Sequence, residues 1–408
     1  MASPFVFSVA EDVEDDRNYQ PGGLFPVKVG DSLGPEGSTR YRIVAKLGYG
    51  SYSTVWLARD LVAKRTVAVK IVRASETETS REAAILERLR VSPPLTDPAV
   101  LQLLDSFKVT SANGTHQVLV TELAIRLTDV LKLPRIEVNT RNIVRQVLEG
   151  LAFIHERGVV HGDLYPDNIG ATVDLDSLSE IDIWERCGPP TIVPLVAYDP
   201  ARDAASFPPH LTYGPDLDGL WKKGFTPREP HVRILDLGCA YLAEQSPSPR
   251  CHTPRAYMAP EVLFPTIAHD NRDAQWDWRA DIWAMGCTIC TIARGGVLFH
   301  GGFTVWTRWP DAVEAHQRIG WPISRQFRTK SNPKVFYTPE AADALWATTL
   351  LHLQRWGQTA EDAQGLVALL RRMLVIDPME RPTASELLKD PYLISTTTLL
   401  NENVSSSI

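Results

Sequence analysis

His161-Gly162-Asp163-Leu164-Tyr165-Pro166-Asp167-Asn168 is the stretch whose reading decides the fold. It follows Val159-Val160, which reads as a short buried strand, so the loop offers Asp163 as a proton acceptor and Asn168 as an amide facing a metal. Arg233 to Leu235 reads as another short strand, which aims the Asp236 carboxylate of Asp236-Leu237-Gly238 at the same point. Two oxygen ligands of this kind suit Mg²⁺, a hard cation that keeps phosphate and water oxygens for its remaining positions.

Working back toward the N-terminus, Tyr41, Ile43, Ala45 and Leu47 alternate with Arg42, Val44 and Lys46, glycines interrupt, and Val55-Trp56-Leu57 resumes, the pattern of a glycine-turned β-hairpin. Gly48-Tyr49-Gly50 at its tip lacks two side chains, so backbone N–H groups there can approach phosphate oxygens closely. Alone the signal is weak, because an ordinary hairpin turn carries the same glycines. In Thr66-Val67-Ala68-Val69-Lys70 an isolated lysine interrupts an apolar strand and must face a cleft that holds its counter-charge. Glu82, on the helix read from Arg81 to Leu89, is the candidate partner that would hold the Lys70 ammonium against phosphates. Val118 to Thr121 reads as a further buried strand.

Forward of the loop the pattern is helical. Ile143, Val144, Val147, Leu148, Leu151 and Ile154 form one stripe over Arg141 to His155, which Gly158 ends, and further helices are expected at Asp281 to Ala293, Pro339 to Leu353, Thr359 to Leu374 and Thr383 to Lys389. Between the two short strands, Ala171 to Pro230 has the Pro, Asp and Gly content of an irregular insert. The first stretch, with Glu11, Asp12, Glu14, Asp15 and Asp16 ahead of Pro21-Gly22-Gly23, reads as an extended arm rather than a core element.

Taken in order, the glycine loop, Lys70, Glu82, His161-Gly162-Asp163, Asp236-Leu237-Gly238, Ala259-Pro260-Glu261, Asp281-Ile282-Trp283 and Arg381 resemble the eukaryotic protein kinases over about Tyr41 to Leu393. Pro26-Val27-Lys28-Val29-Gly30-Asp31, the run from Leu47 to Leu57 with Ser53 where many kinases have a third glycine, and Asn113-Gly114-Thr115-His116 are similar to the SR-protein kinases, which also carry a spacer after the catalytic loop. The resemblance implies an α+β, two-lobed kinase fold: an N-terminal extension over 1–40, a small β-rich lobe over 41–124, a larger helical lobe over 125–395 with the insert at 171–230, and a tail over 396–408. It implies ATP-dependent phosphorylation of Ser or Thr in a protein, with Asp163, Lys70 and Glu82 catalytic and Asn168 and Asp236 holding Mg²⁺. ATP would be bound by Leu47, Gly48, Gly50, Val55, Ala68, Lys70, Thr121, Glu122 and Leu123, with Thr121 guarding the adenine pocket. Glu261 and Arg381 are expected to form a buried ion pair, and Asp281 to anchor the catalytic loop. Arg/Ser-rich splicing factors are the implied substrates.

The departures from the family pattern carry expectations too. Gly162 replaces the arginine that in many kinases binds a phosphorylated activation loop, which implies activity without loop phosphorylation. Tyr165 stands where a lysine contacts the transferred phosphate and Pro254 where a threonine bonds to that lysine, so transfer is expected to be slow. These two departures motivate an alternative, a pseudokinase scaffold that binds nucleotide or partner with little turnover. The catalytic-loop motif is also like that of aminoglycoside and choline phosphotransferases, but Ala259-Pro260-Glu261 and Asp281-Ile282-Trp283 rank that reading lower.

Composition agrees with an enzyme of this size. The 408 residues are 44% hydrophobic, which excludes a disordered chain, a collagen and a disulfide mini-protein. A formal charge of −7 argues against non-specific nucleic-acid binding and suits basic partners. The five cysteines are odd in number and suggest reduced thiols in a cytoplasmic or nuclear compartment. Cys287 and Cys290 have metal-ligand spacing, but they sit in an apolar helix without a second pair, so core thiols are expected. His161 reads as a packed residue, and Trp276, Trp278 and Trp283 as packing for the large lobe. Met1 to Gln20 lack a secretory pattern, and the apolar run Ile282 to Ala293 is too short to span a membrane, so a soluble protein is expected; a monomer is also expected.

Overall fold

Strand and helix periodicities resolve into two lobes in the computed structural model, which describes residues 13–91, 97–132, 139–195, 203–214, 229–245, 248–269, 275–298, 339–355 and 357–394. The small lobe contains β1 (Ser32–Leu33), β2 (Tyr41–Tyr49), β3 (Ser53–Asp60), β4 (Arg65–Val72), the helix α1 (Glu82–Arg88), β5 (Leu103–Ser111) and β6 (Gly114–Thr121). Its six strands form one antiparallel sheet in the order β1-β2-β3-β4-β6-β5. Alternation divides the sheet residues between two faces. Tyr41, Ile43, Trp56, Val67, Val69 and Val118 pack in an outer cluster, whereas Leu57, Ala68 and Leu119 join the inner core with Ile85 and Leu86 of α1.

The large lobe begins with β7 (Ala124–Arg126), α2 (Leu127–Val130) and α3 (Thr140–Glu156), followed by β8 (Val159–Val160) and β9 (Ile169–Thr172). Then come α4 (Glu180–Cys187), β10 (Ile192–Pro194), β11 (His210–Thr212), β12 (Val232–Ile234) and β13 (Tyr241–Leu242). The C-terminal helices are α5 (Pro260–His269), α6 (Trp278–Arg294), α7 (Pro339–Arg355), α8 (Ala360–Met373), α9 (Ala384–Leu387) and α10 (Pro391–Ile394). The buried stripe of α3 lies where the sequence places it, and α6 runs through the core with Ile282, Trp283, Cys287 and Cys290 all at 2% exposure or less. Burial pushes both thiols well above their ordinary range, so they are inert core residues. Trp276 and Trp283 are buried in the large lobe as expected, and no described helix is long and apolar enough to cross a membrane.

Two sequence expectations fail. The first stretch is not a solvated arm: Tyr19, Leu24 and Val27 are buried to 1% or less, and residues 25–33 cover the outer face of the sheet. The insert is not irregular throughout. Its first residues belong to β9, and α4 starts with a capping box in which Ser179 and Asp182 satisfy each other's backbone N–H groups. This part of the insert lies against the small lobe: Asp176 Oδ1 accepts from Thr66 N and Oγ1 at 2.6 and 2.7 Å, Arg42 pairs with Glu180 at 2.9 Å, and Trp184 Nε1 donates to the Val44 carbonyl at 3.1 Å. Leu195 and Leu211 then pack on Tyr19 and Leu24, while the Asn113 amide donates to the carbonyls of Leu24 and Ser206. Both segments find partners far away in the chain, which no local pattern records. The tail at 396–408 lies outside the described residues.

Candidate active site

The cleft side chains are aimed by the periodicities that built the lobes. On β4, Val69 and Ile71 face the outer cluster, so Lys70 shares the inner face with Ala68. On α1, Ile85, Leu86 and Leu89 are buried, and Glu82 falls on the same stripe at i−3, i−4 and i−7. Lys70 Nζ therefore meets Glu82 Oε1 at 2.8 Å, and it also meets Asp236 Oδ1 at 2.9 Å. Burial alone would lower the Lys70 pKa, but the two carboxylates outweigh it and the net shift is upward. The Lys70 charge holds the Asp236 carboxyl down at about 2, whereas burial raises Glu82 against the same lysine. Asp236 has φ 52°, a left-handed conformation rare outside glycine, and its carboxylate also accepts from Gly238 N at 3.3 Å.

The catalytic loop hangs from α6. Asp281, 1% exposed, accepts from His161 N at 2.7 Å, Gly162 N at 2.9 Å and His155 Nε2 at 3.0 Å. His161 is fully buried and bonds the Leu235 carbonyl through Nε2, a packed residue as expected. Behind α6 the expected Glu261–Arg381 pair forms with two contacts of 2.6 and 2.8 Å. The Asn168 amide nitrogen donates to the Asp163 carbonyl at 2.7 Å, which leaves the amide oxygen for a cation. Among the described residues nothing hydrogen-bonds the buried Asp163 Oδ1, and burial raises its pKa. Such an oxygen is expensive unless something arrives to use it.

Two cavities meet at these groups. The first, about 620 Å³, is lined by Leu47, Gly48, Gly50, Val55, Ala68, Lys70, Thr121, Glu122, Asn168 and Asp236. It also takes in Leu86, Leu101, Leu119 and Leu235, which the sequence pattern did not single out. Leu123 does not line it; it is buried, and its carbonyl accepts from Val173 N. The second cavity, about 990 Å³, shares Lys70, Glu82 and Asp236 and adds Asp163 and Tyr165. A nucleotide's size fits the first, and among the described residues beyond the chain neighbours nothing comes within 4 Å of where a Cβ would sit at Gly48 or Gly50, room that a phosphate chain could take. Among the described residues no three His, Cys, Asp or Glu side chains cluster as a metal site. Asp236 and the free Asn168 amide oxygen fit Mg²⁺, which they would hold jointly with phosphate oxygens, as this cation is usually bound.

The departures are spatially linked. The Tyr165 ring lies 6.3 Å from that of Tyr257, whose N–H donates to the Pro254 carbonyl. Gly162 has φ +75°, and a Cβ there would lie 2.6 Å from Cη2 of Trp276. The Gly162 carbonyl accepts from His252 N at 3.3 Å and Thr253 Oγ1 at 3.1 Å, and Trp276 Nε1 donates to Pro249 O at 2.9 Å. The segment after Asp236 is therefore tied down by neutral groups. Gly162→Arg is expected to cost about 1–2 kcal/mol for the left-handed backbone and about 1–3 kcal/mol for displacing the indole. Urea unfolding measures the sum, and kcat should fall with it as the segment loosens; an unchanged midpoint and rate would contradict this packing.

A model of the protein kinase domain family matches residues 41–174 and 225–393, so the chain belongs to that family. A solved kinase-domain crystal structure that is 19% identical superposes with a TM-score of 0.58, covering 91% of this chain and 98% of its own, and shows the two-lobed fold. A Physarum polycephalum protein named serine/threonine-protein kinase SRPK is 29% identical over 413 residues, 94% of this chain and 92% of that one. Human SRSF protein kinase 3 is 36% identical over 198 residues, 44% of this chain and 34% of that one. These relatives carry SRPK or SRSF protein-kinase names, and within the protein kinase family this chain is similar to them. The pseudokinase alternative is not favoured, since Lys70, Asp163, Asn168 and Asp236 are all present around the two joined cavities.

Proposed function

We propose that this chain transfers the γ-phosphate of ATP to serine in Arg/Ser-rich protein segments, acting as a monomer in the cytoplasm or nucleus, without direct nucleic-acid or membrane binding. The observation that carries the reading is the meeting of the two cavities at Lys70 and Asp236, beside the unpartnered Asp163 oxygen. Lys70, oriented by Glu82, would hold the nucleotide phosphates, and Asn168 and Asp236 would hold Mg²⁺, which when bound neutralises charge on the phosphates. Asp163 would accept a hydrogen bond from the substrate hydroxyl, hold that oxygen in line with the γ-phosphorus, and take its proton as transfer proceeds. Tyr165, whose phenol burial pushes up to about 12, stays neutral and lines the substrate side. The neutral ties on the segment after Asp236 support activity without loop phosphorylation.

The substrate class rests on the SRSF name carried by a relative and on the net charge of −7, which favours basic segments. An Arg-Ser repeat peptide is expected to show about tenfold higher kcat/KM than a basic serine peptide of equal charge, the effect of one good charge-assisted hydrogen bond. Equal values for the two peptides would remove the Arg/Ser assignment. Phosphatase-treated enzyme should keep its rate.

A further inference from the structure

Outside the catalytic groups, the molecule buries a charge pair at the root of the nucleotide loop. Lys46 on β2 is 1% exposed and forms an ion pair with Glu14, itself 3% exposed. The other Glu14 oxygen accepts from Tyr19 OH at 2.6 Å, so both carboxylate oxygens are engaged. Lys46 Nζ also sits 5.2 Å from the Tyr49 ring and 5.4 Å from the Trp56 ring, which encloses the ammonium between a carboxylate and two aromatic faces.

The position of this pair is what gives it consequence. Lys46 pairs with Trp56 across the β2–β3 hairpin, and the ladder slips between Lys46 and Gly48, a bulge at Leu47. Leu47, Gly48 and Val55 line the nucleotide cavity, while strand alternation puts Lys46 on the face opposite Leu47. One face of the hairpin root thus borders the nucleotide, and the other carries a buried charge whose counter-ion comes from the start of the chain.

We propose that Glu14 is a positioning residue for the nucleotide: through Lys46 it fixes the root of the β2–β3 hairpin and so sets affinity for MgATP rather than the rate of transfer. β3 is held by β4 along its whole length, whereas β2 slips against β3 at Leu47, so the root of β2 decides where Leu47 and Gly48 lie. Burial draws Lys46 down to about 7, and the Glu14 carboxylate is the counter-charge that meets its ammonium. Without that charge the lysine must reach for water or give up its proton, and either course shifts the backbone next to Leu47.

The inference rests on the kinase reading above, and it is tested on the full chain with two readouts, steady-state transfer to an Arg-Ser peptide and direct binding of MgADP. Glu14→Gln is expected to raise KM for MgATP about tenfold and to weaken MgADP binding by a similar factor, with kcat at saturating ATP within about twofold. Glu14→Asp should recover part of the loss. Tyr19→Phe, which frees one carboxylate oxygen without baring a charge, should raise KM about threefold and serves if Glu14→Gln folds poorly. Unchanged KM and MgADP affinity in both Glu14→Gln and Tyr19→Phe, with only a lower melting temperature or kcat, would reduce the pair to a structural tie and overturn the inference. Wild-type protein that binds MgADP but transfers no phosphate contradicts the kinase reading instead, and the positioning role is then decided by the binding measurement.

Discussion

Asp163→Asn lowers kcat by about 10²–10⁴-fold while leaving MgADP affinity within about twofold, the expected result for loss of a positioned proton acceptor. Asp163 lines the substrate cavity and not the nucleotide cavity, so the substitution touches transfer and spares binding. The amide keeps the shape of the side chain but cannot take a proton. The pH dependence gives a second signature. Burial raises the Asp163 pKa, so activity should fall as pH drops through a value above the ordinary aspartate range near ~4, and the acid limb should vanish in the residual activity of the variant. Asp236, held at about 2 by Lys70, stays ionised over the same range and cannot produce that limb. A variant with wild-type kcat would show that another group accepts the proton.

Asp236→Asn should fall on both sides of the reaction. Its carboxylate is one of the two proposed metal ligands and one of the two partners that raise Lys70. Removing it takes away charge next to the phosphates and leaves Lys70 to Glu82 alone. A loss of about 10²–10³-fold in kcat is expected by comparison with other removed electrostatic groups. A raised KM for MgATP that excess Mg²⁺ partly recovers should accompany it. The contrast with Asp163→Asn is the informative part: one variant should lose rate alone, the other rate and nucleotide affinity together. Identical kinetic profiles for the two variants would mean that the cavities do not divide the work as their linings suggest.

What the sequence made legible was what short-range pattern encodes. Lys70 stood out because a charge in an apolar strand needs a partner, and Glu82 because it lies on the buried stripe of α1. Asp163, Asn168 and Asp236 were found because loops following short buried strands aim their side chains at one point. The arm and the insert were misread for the opposite reason. Tyr19 and Leu24 find their partners at Leu195 and Leu211, about half the chain away, and Asp176 caps the start of β4 from the other lobe. No local period records such contacts. Trp276 was assigned to packing, correctly as far as burial goes, but its indole occupies the space beside Gly162, and only the backbone conformation of that glycine shows why the arginine is gone. Leu123 is absent from the cavity lining because its side chain is packed in the core, and its carbonyl accepts from Val173 N.

The most direct measurement is a balance of products from wild-type protein incubated with MgATP and an Arg-Ser peptide. The account predicts ADP and phosphoserine formed in equal amounts over many turnovers, without prior phosphorylation of the enzyme. Nucleotide bound at the cleft with neither product formed, in protein shown to be folded, would contradict it.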